Sequence, residues 1–149
     1  MNVGNICNHN VAVVDPATSV SEAAALMRQQ HVGDLIVVEH RSGVPVPVGI
    51  LTDRDIVVGV VAKSVAADTV TVGDAMSSGP LLVYEHDGLE LALREMRRRG
   101  VRRVPVVGER GELVGVLSVD DVVEHLARQL GDVAGIIRLE QDTETTARP

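Results

Sequence analysis

Val20, Ala23, Ala24 and Met27 recur at the i, i+3, i+4, i+7 spacing of one helix face, and Leu89, Ala92, Leu93 and Met96 repeat that spacing 69 residues later. Ser19 and Glu22 form an S-x-x-E start signal for the first helix; Asp87-Gly88 opens the second. Each helix runs into an apolar segment predicted to be a strand, Val32 to Val38 and Val101 to Val107, still in register at the same offset. A turn follows in each copy, around Ser42-Gly43 and Arg110-Gly111, and then a second strand, Val46 to Leu51 and Glu112 to Leu117. The offset shortens to 66 at Gly49 and Gly115, so the first hairpin is three residues longer. Hairpin tips tolerate such differences.

The strands end in Thr52-Asp53-Arg54-Asp55 and Ser118-Val119-Asp120-Asp121, each entering a further helix. In the second copy Val119, Val122, Val123, Leu126 and Leu130 keep a helical stripe; Ile56 to Ala62 in the first is so β-branched that helix is less favoured. Leading strands are expected at Val11 to Val14 and Leu81 to Tyr84, preceded by the matched segments Val3 to Asn8 and Val72 to Ser77. The chain is thus an internal repeat of the α/β class, with a β-α-β-β-α unit over residues 1–65 and another over 66–131. A unit of that size is marginal alone, so the two should pack together. Residues 132–149 form an extension, with Gln141 to Pro149 expected to fray.

Composition narrows the function. The chain has 149 residues and is 45% hydrophobic, with a formal net charge of −7, one cysteine and a single aromatic residue, Tyr84. The negative charge and the lack of stacking platforms argue against nucleic acid as a partner. No apolar run approaches the length of a membrane span, no signal peptide opens the chain, and a lone Cys7 permits no internal disulfide. A cytoplasmic protein is expected. His9, His31, His40, His86 and His125 lack metal-ligand spacing, no G-x-x-x-x-G-K-[ST] loop is present, and nothing assembles a nucleophile, base and orienter. Neither a metal site nor an enzyme is expected.

Two tandem halves, each closing with G-h-h-[T/S]-x-x-D, Gly49 to Asp55 and Gly115 to Asp121, resemble the cystathionine-β-synthase (CBS) domain pair, or Bateman module, over Val3 to Leu130. The resemblance implies two CBS repeats packed about a pseudo-twofold axis, with clefts between them for an adenosine-containing ligand such as AMP, ADP, ATP, NAD or S-adenosylmethionine. It further implies a homodimer and a regulatory role toward another, unidentified protein. Thr52 with Asp55 and Ser118 with Asp121 also fit plain helix capping boxes. By resemblance, Asp55 and Asp121 accept from ribose while Thr52 and Ser118 lie near phosphate. Arg103 matches the position where family members hold phosphate, with Arg102 beside it, whereas the first copy carries Asp34 at the position of Arg103. That carboxylate repels phosphate unless Arg54 or an arginine from the other half offsets it. One competent site and a second that is weaker, differently selective or empty are therefore expected. Adenine would lie among aliphatic groups and backbone, with Val32, Gly33, Val101, Ile6 and Met76 as candidates. Two rival readings stay open: a ligand-free dimerisation or adaptor module, and a small nucleotide hydrolase.

Overall fold

The computed structural model describes residues 1–148 and shows two α/β lobes, each a small sheet with helices packed on it. In lobe 1, β1 (Val13–Val14) runs parallel to β2 (Asp34–Arg41), the two joined by α1 (Val20–Gln30). β2 pairs antiparallel with β3 (Val44–Thr52), from Asp34 opposite Thr52 to Arg41 opposite Val44. The hairpin tip places Ser42 and Gly43 at φ 51° and 80°, the twist a tight two-residue connection demands. β3 leads into α2 (Asp53–Ile56), which continues as a π-helical turn over Val57–Val61. The β-branched run therefore does form helix, but wound wide.

Lobe 2 repeats the plan with β5 (Val83–Tyr84), α4 (Leu89–Arg99), β6 (Arg103–Val107) and β7 (Leu113–Ser118). It closes with α5, a single 29-residue helix from Val119 to Ala147. Expected fraying of the tail is thus corrected: Gln141 to Ala147 continue the helix, and Pro149 lies outside the described residues.

A cut at residue 65 separates the sequence repeats but not the packing units. The leading segments are exchanged. Val3 and Cys7 are buried in the core of lobe 2 with Val83, Met96, Val104 and Leu117, and Ile6 packs beside them. Conversely α3 (Val72–Ala75) gives Val72 to the core of lobe 1, where Leu35, Val37, Leu51 and Val60 are buried, and β4 (Ser77–Ser78) adds a strand to the edge of β3. Asn8 bridges Val116 of β7 in the corresponding way. The repeat glycines make this possible. A Cβ on Gly115 would stand 2.8 Å from the Asn8 carbonyl oxygen and from Cys7 Sγ, and one on Gly49 would collide with Met76 Sδ. β3 and β7 then lie against one another at the seam between the lobes.

Candidate functional site

Both motif ends form the same capping box. Ser118 sits in extended backbone as the N-cap of α5; its Oγ accepts from the Asp121 N–H at 3.1 Å, and Asp121 Oδ2 accepts from the Ser118 N–H at 3.2 Å. Thr52 and Asp55 reproduce the reciprocal pair at 3.1 and 2.9 Å. The capping-box reading is therefore realised in both copies, satisfying two helix amides each. In each lobe the strand start accepts another: Arg102 C=O takes the Val119 N–H at 2.8 Å, and Gly33 C=O takes the Asp53 N–H at 2.9 Å. The copies then differ. The second-position amide of α2, Arg54 N–H, is held by Asp53 Oδ1 at 2.8 Å, whereas that of α5, on Asp120, has no protein acceptor among the described residues.

A cleft of about 180 Å³ opens between the lobes at the second motif. Ser118, Asp120 and Asp121 form one wall with Val116; Val32 and Asp34 come from lobe 1; Asn8, Asn10, Val11 and Ala12 come from the segment that crosses between the lobes. Arg103 reaches across it, with Nη1 donating to Asp34 Oδ1 at 2.7 Å. The two residues that occupy equivalent positions in the repeat thus neutralise each other. Their side chains are only 32% and 24% exposed, so the pair is shielded enough to be stronger than a surface ion pair. Burial is the main influence on the Asp34 carboxyl and raises its pKa; Arg103 pulls it down and Asp53 pushes it up, and the net direction is upward.

Of the sequence-predicted residues, the structure brings Ser118, Asp121, Arg103 and Val32 into this cleft. Arg102 points to solvent and pairs with Asp120 at 3.4 Å. Thr52 and Asp55 lie half-buried at the first cap, and Arg54 is exposed on α2, away from Asp34's ion pair; Arg103 is the arginine that offsets Asp34. Ile6 and Met76 pack on the lobe cores, Gly33 lies against the Asp53 carboxylate, and Val101 is at the surface following α4. The reading of the sequence missed Asn8 and Asn10. Asn8 Oδ1 accepts from the Asn10 N–H at 2.9 Å, a local turn that steers the crossing segment along the cleft. Cys7 is buried beneath Gly115, and burial is the chief cause of its raised pKa, so the thiol serves as a small apolar group. Among the described residues no cluster of His, Cys, Asp or Glu could hold a metal ion.

Two interlocked β-α-β-β-α lobes with a hydroxyl-carboxylate cap at the seam define a tandem-repeat binding fold. The CBS domain model matches residues 3–61 and 72–128, and the chain belongs to the CBS domain family. An uncharacterised protein of Methanopyrus kandleri is 30% identical over 83% of this chain and 62% of its own length. The chain thus spans less than two thirds of that relative. Among solved structures, CBSX2 in complex with AMP is 30% identical with a TM-score of 0.70, covering 85% of this chain and 96% of that one. A CBS domain protein of Pyrobaculum aerophilum complexed with AMP is 27% identical with a TM-score of 0.72, covering 81% and 89%.

Proposed function

We propose that this protein is a regulatory module that binds an adenosine-containing ligand, AMP, ADP, ATP, NAD or S-adenosylmethionine, in the cleft between its lobes and turns occupancy into a signal for a partner protein. The observation that carries the reading is the convergence of Asp121, Asn8 and the Arg103–Asp34 pair, drawn from both lobes, on one cleft. Capping uses Asp121 Oδ2, leaving Oδ1 to accept from a ribose hydroxyl pair. Val32, Val116 and Ala12 offer the aliphatic surface that an adenine ring needs where no aromatic residue is present. Arg103 and the unused Asp120 amide at the α5 N-terminus face the place where a phosphate would lie. Bound-AMP relatives of the same fold add support.

A phosphate in this cleft competes with Asp34 for the Arg103 guanidinium, and because the two residues belong to different lobes, the exchange changes the preferred lobe arrangement. Titration calorimetry and thermal shift with the five ligands test the reading. At 100 times its dissociation constant a ligand adds about 2.7 kcal/mol to stability, and Asp121→Asn loses that gain. Failure of every ligand at millimolar concentration sinks it. The role is binding without turnover, so ATP with magnesium is recovered intact.

One observation favours a second reading, a ligand-free dimerisation module. The arginine suited to phosphate already has a carboxylate partner. On that reading Asp34→Asn, which frees Arg103, creates no nucleotide affinity.

A further inference from the structure

For a site that would take a phosphate, the cleft at the second motif is poor in positive charge. Three carboxylates line it, Asp34, Asp120 and Asp121, against the single guanidinium of Arg103. Asp34 matches Arg103 in the repeat at an offset of 69, and Asp120 matches Arg54 at 66. This cleft therefore holds the acidic member of both pairs, while Arg54 is exposed on α2 outside it. Arg102 is exposed and already paired with Asp120 at 3.4 Å. A phosphate that draws Arg103 away leaves Asp34 partly buried, without a counter-ion and beside a second anion, which is a costly state for a shielded charge. Burial, the main influence on Asp34, already raises its pKa against the pull of Arg103. Each further phosphate adds negative charge against a wall that carries Asp120 and Asp121.

A cation and an anion held side by side suit a ligand group that carries both signs. We propose, resting on the adenosine-binding reading of this cleft, that its ligand is an adenosine with a zwitterionic amino-acid tail at the 5′ carbon, the class of S-adenosylmethionine and S-adenosylhomocysteine, in preference to AMP, ADP, ATP or NAD. The tail exchanges with the Arg103–Asp34 pair one charge for one. Its carboxylate takes Arg103 and the Asp120 amide at the N-terminus of α5, and its ammonium takes Asp34, so neither protein charge is stranded. Asp120 and Asp121 then face a ligand that is neutral or, as the sulfonium, positive, where they would repel a polyphosphate. Asp34 becomes the specificity-determining residue, favouring the tail and opposing phosphate with the same carboxylate.

Titration calorimetry on the full chain at neutral pH, with 5′-methylthioadenosine, S-adenosylhomocysteine, S-adenosylmethionine, AMP and ATP, tests the assignment. S-adenosylhomocysteine is expected to bind at least about tenfold more tightly than AMP, and than methylthioadenosine, which lacks the tail. Asp34→Asn lowers its affinity about tenfold while raising that of AMP, so the order of the two ligands inverts. A general loss of fold would instead weaken both, and a thermal melt identifies it; the comparison among ligands on the wild type then decides alone. The proposal is overturned if AMP or ATP binds the wild type as tightly as S-adenosylhomocysteine, if methylthioadenosine equals it, or if folded Asp34→Asn moves both ligands in the same direction. Failure of every adenosine compound at millimolar concentration is a different result: it removes the reading of the cleft itself, and this assignment with it.

Discussion

Asp34 stands where the repeat would place a second arginine, and it holds Arg103 at 2.7 Å. Asp34→Asn removes the competing carboxylate, and affinity for AMP rises about tenfold, the equivalent of roughly 1.4 kcal/mol, by calorimetry at neutral pH. The effect depends on pH with a definite sign. Because the folded carboxyl's pKa is raised above 3.8, chiefly by burial, it takes up its proton before an ordinary aspartate as pH falls. Protonation frees Arg103 in the wild type, so the gap between wild type and Asp34→Asn closes toward acid pH. The same shift means the folded state holds this proton more tightly than the unfolded one. Asp34's contribution to stability therefore declines as pH rises from the ordinary value through the raised one. Gly115 is constrained by space. Gly115→Ala places a methyl group 2.8 Å from the Asn8 carbonyl oxygen, which is backbone, and the expected cost is about 2 kcal/mol, read as a lower midpoint in urea.

At the scale of elements, the ends of α1 and α4 show what the repeat preserved and what it relaxed. Gly100 ends α4 at φ 66°, whereas its match, His31, ends α1 at φ 55°, left-handed for a residue with a Cβ. His31→Gly removes that strain and raises stability by about 0.5–1 kcal/mol in thermal melts. Helices α1 and α4, the inner strands and both capped motif ends were legible because each writes its period or its polar pair into adjacent residues, as Val20 to Met27 and Ser118 to Asp121 do. The exchange of leading segments was not. Val3 and Val72 read as ordinary apolar residues ahead of a strand, and nothing local says which sheet they join. Asn8 and Asn10 escaped for the same reason, since their place in the cleft comes from that crossing. The continued helix of α5 was hidden by two glycines inside it, Gly131 and Gly135, and by the polar run from Gln141 that follows them.

For the whole molecule, the cleft and the exchange are one construction. The segment through Asn8, Asn10 and Ala12 leaves lobe 2 and enters lobe 1, and on its way lines the site. A ligand there touches both lobes and the strap that joins them.

Each lobe holds a piece of the other. Lys63 lies exposed in the linker after the π-helical turn, and a protease nick there severs the covalent link without freeing either fragment. Native gel filtration is expected to show the two fragments travelling as one particle, and residues 1–65 produced alone are expected to stay unstructured, lacking the Val72 that completes their core. Gene fusions or truncations that split this protein at the midpoint of its repeat would yield not two half-modules but two incomplete ones.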